Sequence, residues 1–268
     1  MQTFREFELQ GWQKVANRYH DTFAGVTIQC IDALLDLAAV ATGSRTLDIA
    51  CGPGYAAGRV AARGADACGV DFSAEMVAEA QRRYPAAKFQ EGDAENLSFS
   101  DNEFDAVTMN FGMLHLARPD RATAEAFRVL KAGGRFAFSV WQAPEKTIAF
   151  GVVLSSIQKH GDMNVQIPAG PPFFRFSDPN ESTAMMKAAG FRDIRHQTVA
   201  QTWTLPSVET LFDIMMNASV RNAAMLHAQK PEVLGAIREE MREASRHYLT
   251  GGVVQFPMPA ILCAGTRP

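Results

Sequence analysis

Apolar positions along the chain fall into two alternating patterns, short runs and longer stretches with an apolar stripe at helical spacing. The short runs predict strands, at residues 46–50, 66–71, from 88, 104–111, 135–141, 191–201 and 253–264. The longer stretches predict helices, at residues 4–19 (one helix or two short ones), 26–41, 55–63, 74–83, 119–130, 144–160, 178–189 and 205–249. Strands that alternate with helices in this way indicate an α/β fold.

The pattern changes after Trp141 and divides the chain. The parts are a ligand-binding core with N-terminal helices (1–141), a lid segment (142–177), a return to the core sheet (178–204), a helical lid insertion (205–250) and a final edge strand (251–268). Pro257 and Pro259 interrupt that last strand, which should therefore lie at an edge of the sheet or carry a bulge. Met and Phe side chains of the lid suit an apolar or aromatic ligand, although most of them individually fit the lid's own core better.

Length and composition exclude several classes of protein. The chain has 268 residues, is 47% hydrophobic and carries a formal net charge of −3, which argues against a general nucleic-acid binder. Its four cysteines are scattered without a C-x-x-C pair, which favours a reducing compartment. The N-terminus lacks the apolar segment of a signal peptide, and no run approaches the ~20 apolar residues that span a bilayer. We therefore expect a cytoplasmic monomer or homodimer without a membrane span.

The candidate chemistry begins where the first predicted strand runs into a tight turn and a helix. The turn Gly52-Pro53-Gly54 lets a ligand approach the backbone, and the helix N-terminus offers unpaired N–H groups. The spacing of Gly52, Gly54 and Gly58 departs from the dinucleotide fingerprint G-x-G-x-x-G. Asp48, ahead of the turn, would repel a pyrophosphate but suits an ammonium group. S-adenosylmethionine (SAM) has an ammonium group, a sulfonium charge and no phosphate.

Acidic residues also end the next two predicted strands. Asp71 lies about 20 residues beyond the glycine turn, the spacing at which an acid can accept both ribose hydroxyls. Capping of the following helix is the alternative for Asp71. Asp93 follows the third strand, so three successive strands end at acids. Together these acids predict a ligand site along the carboxyl edge of the sheet.

The run from Thr46 to Gly54 resembles motif I of the class I SAM-dependent methyltransferases. The opening of the fourth strand at Phe104 and the L-K-x-G-G turn at 130–134 are also typical of that family, and the chain is most similar to its ubiquinone/menaquinone-biosynthesis type (methyltransferase domain 11-like). The resemblance is close over the first half of the chain. It implies SAM as cofactor, S-adenosylhomocysteine (SAH) as product, and a Rossmann-like, seven-stranded, mostly parallel sheet with helices on both faces plus a mainly helical lid.

The resemblance also implies which residues contact the cofactor. They are Tyr19, Asp48, Ala50, Gly52, Gly54, Asp71, Phe72, Met76, Asp93, Ala94, Asn110 and Phe111. In the family, the residue matching Asp93 bonds the adenine amino group, and the backbone N–H matching Ala94 meets a ring nitrogen. Phe72 and Met76 either flank the adenine or belong to the core. Tyr19 either closes the pocket or anchors its helix to the core.

Methyl transfer from a sulfonium is an in-line displacement that needs alignment and water exclusion more than a catalytic side chain. A hydroxyl acceptor would benefit from a base, and histidine is the natural choice near neutral pH. His115 follows the fourth strand, at the switch point of the sheet, and is the candidate base. Related sequences often carry a histidine there without an assigned catalytic role, so this assignment stays open. No cluster of His, Cys and Asp has metal-ligand spacing, and we expect no metal.

These observations predict SAM-dependent methyl transfer to a small, apolar or aromatic acceptor, with O- or C-methylation favoured. The alternatives are a non-catalytic SAM-fold module in a larger assembly, a nucleic-acid base methyltransferase and a dehydrogenase. The intact series of acids argues against a module that has lost its cofactor. Base methyltransferases often carry N/D-P-P-Y/F after the fourth strand, whereas this chain reads Asn110-Phe111-Gly112-Met113. The glycine spacing and Asp48 disfavour a dehydrogenase.

Overall fold

The computed structural model describes residues 2–268, which form two compact units. The sheet unit comprises residues 27–141, 170–199 and 260–268. The helical unit comprises the described residues up to 26 together with 142–169 and 200–259. The first N-terminal helix, which we expected in the core, therefore clusters with the 142–169 and 200–259 segments instead, and residues 170–177 of the expected lid segment cluster with the sheet.

The secondary structure alternates as the sequence pattern predicts. The strands are β1 (Arg45–Ile49), β2 (Asp66–Asp71), β3 (Lys88–Glu91), β4 (Phe104–Asn110), β5 (Leu130–Trp141), β6 (Arg192–Val199), β7 (Thr202–Leu205), β8 (Leu249–Thr250), β9 (Val253–Pro257) and β10 (Ala260–Thr266). The helices are α1 (Phe4–Val15), α2 (Ala24–Thr27), α3 (Ile31–Leu37), α4 (Tyr55–Ala62), α5 (Ala74–Arg83), α6 (Pro119–Val129), α7 (Ile148–His160), α8 (Pro179–Ala188), α9 (Thr210–Asn217), α10 (Arg221–His227) and α11 (Pro231–Arg246). Short 3-10 turns are Ala16–Arg18, Ile28–Cys30, Met113–His115 and Arg175–Ser177.

The sheet unit is built on a seven-stranded sheet with the order β3-β2-β1-β4-β5-β10-β6. β10 runs antiparallel to both of its neighbours, and β1, β2, β3, β4 and β5 pair in parallel. The strand order runs outward in opposite directions from β1 and β4, because β2 and β3 follow on one side and β5 on the other. The topological switch point therefore lies between the carboxyl ends of β1 and β4. The predicted seven-stranded, mostly parallel sheet is confirmed.

Helices cover both faces of this sheet because side chains alternate along each strand. Leu47 and Ile49 of β1 belong to a large buried apolar cluster that also contains Ala122 of α6 and Met185 of α8. Asp48, between them in sequence, points the other way, and its carboxylate accepts a hydrogen bond from the N–H of Ala57 in α4. The alternation thus places α6 and α8 on one face and α4 on the opposite face.

The last strand does not lie at an edge of the sheet, so the edge alternative of the prediction was wrong. The predicted run splits at its prolines into β9, which ends at Pro257, and β10, which begins after Pro259. β10 lies between β5 and β6, and β6 forms the edge of the sheet. The prolines fall where the chain leaves one ladder and enters another, so no N–H is missing inside β10. The one register shift along the pairing of β10 with β6 lies between Ala264 and Thr266, away from both prolines.

The predicted strand over residues 191–201 corresponds to β6, and a separate strand that the sequence pattern did not predict follows it. β6 ends at Val199, which pairs with Ala260, and β7 begins at Thr202, which pairs with Pro257. The two strands belong to different sheets, because β7 joins β9 and β8 in a three-stranded antiparallel sheet. The alternation of apolar and polar positions is interrupted at this junction, because Val199 and Ala200 are both apolar and the next two residues are both polar.

The longer helices of the helical unit pack mainly against one another. α7 packs against α11 and β9, and α9 packs against α10 and α11. A buried ion pair joins distant parts of this unit, because Nε of Arg221 lies 2.8 Å from Oε1 of Glu8. Within residues 2–268, no helix is long and apolar enough to cross a membrane.

Candidate cofactor site

The turn between β1 and α4 contains three residues with positive φ. Ala50 has φ +52°, Gly52 +51° and Gly54 +84°. A Cβ on Gly54 would lie 2.8 Å from the Phe89 ring, so this glycine is required for packing against β3. A Cβ on Gly52 would meet no protein atom within 4 Å. The backbone at Gly52 is therefore bare on a side that the protein itself does not use, as close approach of a ligand requires.

Asp71 ties this turn to the end of β2. Its Oδ2 accepts a hydrogen bond from the N–H of Gly52 at 2.8 Å, and its Oδ1 accepts one from the N–H of Ser73 at 2.9 Å. Burial raises the pKa of Asp71 to about 6, against these backbone hydrogen bonds, which lower it. An ionised carboxylate has about four acceptor positions, so Asp71 can accept further donors from a ligand.

Asp48 is buried beneath the same turn. Its Oδ1 accepts a hydrogen bond from the hydroxyl of Thr108 in β4 at 2.9 Å, and the carboxylate also accepts from the N–H of Ala57. Burial is the largest cause that raises its pKa, to about 7, and the nearby charge of Asp71 raises it further. Two carboxylates therefore lie close together in a desolvated position, where a cationic group of a ligand would be strongly favoured.

The loop after β3 is closed by Asp93. The Asp93 Oδ1 accepts a hydrogen bond from the N–H of Glu95 at 2.9 Å. Glu95 is buried, and its carboxylate accepts hydrogen bonds of 2.8 Å from both the N–H and Nε of Arg118. Ala94, between the two acids, is buried as well. Glu95 thereby fixes the loop after β3 to the loop after β4, which sequence reasoning did not anticipate.

The carboxyl end of β4 is held by a polar network. Ser139 of β5 donates to Oδ1 of Asn110 at 2.7 Å, and the Ser139 hydroxyl oxygen accepts from the N–H of Phe111 at 2.9 Å. The Asn110 Nδ2 donates to the carbonyl oxygen of Thr27 at 3.0 Å. Phe111 has φ +54° and its ring stacks on that of Trp141, with the centroids 4.0 Å apart. A positive φ at a bulky residue is uncommon and marks places where the fold enforces a special geometry.

The turns after β1 and β4 touch. A Cβ on Gly112 would lie 2.7 Å from the Cβ of Ala50, so only glycine allows the two turns to approach this closely. Ala50 and Phe111, both with positive φ, therefore lie on neighbouring turns at the switch point. This is the edge at which open α/β sheets bind their ligands.

His115 closes the 3-10 turn after β4. Its N–H donates to the carbonyl oxygen of Gly112 at 3.0 Å, and the side chain is half-buried. The imidazole meets the ring of Phe173 edge to face, with the centroids 6.1 Å apart. His115 thus lies beside an aromatic side chain in the sheet unit.

The remaining predicted cofactor residues fall at two places. Met76 in the first turn of α5 is buried and donates its N–H to the hydroxyl oxygen of Ser73, and Phe72 at the end of β2 is half-buried. Tyr19 lies in the helical unit, where its ring centroid is 6.0 Å from that of Trp12 and 6.4 Å from that of Phe23. Its predicted role at the cofactor stays a prediction.

Two residues of the network escaped sequence reasoning although a signal existed for each. Thr108 lies directly opposite Asp48 in the register of β1 and β4, and Ser139 lies opposite Asn110 in that of β4 and β5. Both are polar residues inside apolar strands, and both are fully buried. A buried hydroxyl needs a partner, so each could have been expected to bond a neighbouring polar side chain.

The residues on this edge of the sheet fit SAM or SAH. The bare backbone at Gly52 accommodates a close ligand, Asp71 retains acceptor capacity, and desolvated carboxylates beside them suit a molecule with an ammonium group. A sheet with this strand order and an acid-bearing glycine turn at its switch point defines a Rossmann-like methyltransferase of class I.

Comparison with known proteins identifies the family. Residues 47–138 match the family described as "Methyltransferase domain". A ubiquinone/menaquinone biosynthesis C-methyltransferase UbiE from a Ruegeria species is 31% identical over 63% of this chain and 74% of that protein. A demethylmenaquinone methyltransferase from Renibacterium salmoninarum is 39% identical over 41% of this chain and 47% of that protein. The chain thus spans about half the length of this second relative.

A solved structure shares the fold across the whole chain. Phosphoethanolamine N-methyltransferase 2 of Haemonchus contortus, in complex with S-adenosyl-L-methionine, aligns with a TM-score of 0.60 at 18% identity. The alignment covers 100% of this chain and 60% of that one. Our chain belongs to the class I SAM-dependent methyltransferases. Within that class it belongs to the methyltransferase-domain family that includes the ubiquinone/menaquinone-biosynthesis enzymes.

Proposed function

We propose that this protein transfers a methyl group from SAM to a small, apolar or aromatic acceptor of the quinone type. The observation that carries the proposal is the pair of buried carboxylates, Asp48 and Asp71, beneath a turn whose Gly52 offers bare backbone. A ligand with an ammonium group would reduce the cost of keeping these carboxylates ionised, whereas a phosphate group in the same place would increase it.

In this proposal the residues at the strand ends bind different parts of the cofactor. Asp71 accepts hydrogen bonds from the ribose hydroxyls, Asp93 and the N–H of Ala94 contact the adenine, and Phe72 and Met76 flank it. The turn with Ala50, Gly52 and Gly54, together with Asp48, receives the amino-acid end of the cofactor. Bound SAM supplies a methyl group on a positively charged sulfur. This sulfur is a good leaving group because it becomes neutral, as part of SAH, when the methyl group is transferred.

The acceptor is proposed from two separate supports. The matched relatives are named for methylation in menaquinone and ubiquinone biosynthesis. In the chain itself, Phe111 and Trp141 stack at the ends of β4 and β5, and Phe173 packs beside His115. Aromatic side chains at these strand ends are of the kind that contacts a flat apolar ring. The chain's part in catalysis is then to align the acceptor and exclude water, and His115 removes a proton if the acceptor is a hydroxyl.

Calorimetry and turnover test the proposal in sequence. We expect the purified protein to bind SAH and SAM, and to convert SAM to SAH with a panel of reduced naphthoquinones and phenols. Mass analysis of the product then decides between O- and C-methylation. SAH binding without turnover on any quinone or phenol would favour the non-catalytic module, and binding of NAD in place of SAH would overturn the proposal altogether.

Asp71→Asn tests the cofactor assignment directly. The amide retains the shape but loses an acceptor oxygen and the negative charge, so SAH affinity should fall by roughly 5- to 150-fold, equivalent to about 1–3 kcal/mol. Asp66→Asn at the other end of β2 is the matched control, since Asp66 lies in weak, exposed ion pairs 3.8–3.9 Å long. Equal affinities of the two variants would remove Asp71 from the site.

Two further expectations concern the compartment in which the protein acts and its oligomeric state. We propose that the protein acts in the cytoplasm, and that it is a monomer or a homodimer. Fractionation of expressing cells tests the first, and light scattering on the purified chain tests the second.

A further inference from the structure

A buried acid lies in the loop after β3, two residues beyond Asp93. Glu95 is 2% exposed, and both oxygens of its carboxylate are engaged by Arg118. Oε1 accepts a hydrogen bond from the N–H of Arg118 and Oε2 accepts one from its Nε, each at 2.8 Å. A buried ion pair is expensive to desolvate, and apolar residues of similar volume are often as stabilising in its place. Stability alone therefore does not account for a glutamate at this position.

Side chains of α6 hold the same loop at further points. The Arg121 Nε donates to the carbonyl oxygen of Glu95 at 2.8 Å. The N–H of Leu97 donates to Oε2 of Glu125 at 2.8 Å, and the carbonyl oxygen of Leu97 accepts from Nη2 of Arg128 at 3.0 Å. Backbone groups that a strand or helix would normally satisfy are thus satisfied here by side chains. The loop is therefore fixed against α6 through its backbone.

Glu95 also determines where the Asp93 carboxylate lies. The N–H of Glu95 donates to Oδ1 of Asp93 at 2.9 Å, so a shift of the Glu95 backbone moves that carboxylate. Asp93 is half-buried, which leaves part of its side chain accessible from outside the protein. Ala94, between the two acids, is buried, and within residues 2–268 its N–H donates to no protein atom. Buried N–H groups without an acceptor are rare, so this N–H is available to a ligand.

A carboxylate next to an available N–H matches one edge of adenine. The amino group of adenine donates a hydrogen bond, and the neighbouring ring nitrogen accepts one. Hypoxanthine differs only at this edge, because a carbonyl oxygen replaces the amino group and the neighbouring ring nitrogen carries a proton. Against Asp93 and Ala94, hypoxanthine would place an acceptor opposite an acceptor and a donor opposite a donor. The two groups can distinguish these bases only while the loop holds them in place.

We propose that Glu95 is a positioning residue for adenine recognition, because its pairing with Arg118 fixes the backbone that orients the Asp93 carboxylate and the N–H of Ala94. This inference rests on the proposed function, in which Asp93 and Ala94 contact the adenine, and adds the residue that keeps them in place. Glu95 acts through these neighbours and does not itself contact the cofactor. Loss of the pairing should therefore weaken the distinction between bases more than it weakens binding in general.

Calorimetry with two ligands on the full-length protein tests this role. The ligands are SAH and S-inosylhomocysteine, in which hypoxanthine replaces adenine. We expect the wild type to bind SAH about 100-fold or more tightly, since two hydrogen bonds are exchanged for two unfavourable contacts. Glu95→Gln retains the shape but turns an NH₂ group towards a donor of Arg118, and should lower this ratio about tenfold. Its affinity for S-inosylhomocysteine should fall by no more than about threefold. Glu91→Gln, an exposed position at the end of β3, is the matched control and should leave the ratio intact.

The ratio of the two affinities separates a positioning role from a merely structural one. A structural residue would lower both affinities together, so an unchanged ratio in Glu95→Gln would overturn the inference. Equal binding of the two ligands by the wild type would overturn it too, because no adenine contact would exist for Glu95 to position. If Glu95→Gln does not fold, Arg118→Met removes the same pairing from a side chain that is 59% exposed, and the same lowered ratio is required. Failure of SAH itself to bind would instead contradict the proposed function.

Discussion

At the scale of single residues, the two buried carboxylates dominate the electrostatics of the candidate site. Burial raises the pKa of Asp48 to about 7 and that of Asp71 to about 6. Each carboxylate is held by hydrogen bonds that favour its ionised form, and burial nevertheless prevails. The ionised form of each carboxylate is therefore disfavoured in the apoprotein, and a cationic ligand beside them would stabilise that form.

This arrangement predicts an unusual dependence of stability on pH. An acid whose pKa is higher in the folded than in the unfolded state stabilises the fold at low pH, and this stabilisation is lost as pH rises. For Asp48 the loss should run from about pH 4 to about pH 7 and amount to several kcal/mol at most. The difference in unfolding free energy between wild type and Asp48→Asn, measured by urea titration of the apoprotein, should therefore move in favour of the variant over this range. If the difference in unfolding free energy stays constant with pH, burial does not raise the pKa of Asp48.

His115 offers a second residue-scale prediction. If it removes a proton from a hydroxyl acceptor, His115→Gln should lower kcat by roughly 10²- to 10⁴-fold, since the amide has no comparable basicity. SAH affinity should stay within about twofold of the wild type. His227→Gln on α10 of the helical unit is the control. An unchanged kcat on the identified substrate would show that alignment alone suffices.

At the scale of elements, the turn between β1 and α4 uses its glycines for different physical reasons. Gly54 is required because β3 and α5 press against it, with the Phe89 ring and the Ala80 Cβ within 3 Å of any added Cβ. Gly52 meets no such neighbour. Its positive φ is the only feature of the protein's own fold that favours glycine at this position.

Alanine substitutions separate these two reasons. Gly52→Ala should cost only the left-handed backbone, about 1–2 kcal/mol of stability, but should weaken SAH binding at least tenfold because the new methyl occupies the ligand's side. Gly54→Ala should lower the melting temperature more, since Phe89 and Ala80 must move. Gly43→Ala is the control, with φ +78° and equally open space outside the turn. Normal SAH affinity in Gly52→Ala would show that no ligand approaches this backbone.

At the scale of the whole molecule, the chain crosses between its two units several times. The ion pair of Glu8 and Arg221 fixes the N-terminal helix α1 to α10 within the helical unit, across more than two hundred residues of sequence. The Glu8 side chain is fully buried, and Trp12 also donates to it from Nε1 at 3.2 Å. A buried charge of this kind is stable only while its counter-charge is present.

Removal of the cation should therefore be costly. Arg221→Met leaves the buried Glu8 charge without its guanidinium and should destabilise the protein by about 3–5 kcal/mol, read as a lower urea midpoint. Arg246→Met removes an exposed partner of Glu243 on α11 and should cost about 0–1 kcal/mol. Similar midpoints for the two variants would mean that Glu8 is solvated or neutral in solution.

Much of the sheet unit could be predicted from the sequence because its signals are local. Strands β1 and β4 and helix α5 lie within one or two residues of their predicted bounds. The acids at the ends of β1, β2 and β3 follow from the same local pattern. The position of the final strand in the sheet could not be predicted. Pro257 and Pro259 indicate that the strand is interrupted, but they do not indicate that the parts before and after them belong to different sheets.

The sequence by itself determined the alternation of strands and helices, the glycine turn and the acid after each of three strands, since these depend on neighbours within about ten positions. Only the tertiary structure decided that Thr108 bonds Asp48, that Glu95 holds Arg118, and that β10 enters the middle of the sheet. Each of these joins segments far apart in sequence, and their pairing is set by burial of the whole core rather than by local preference.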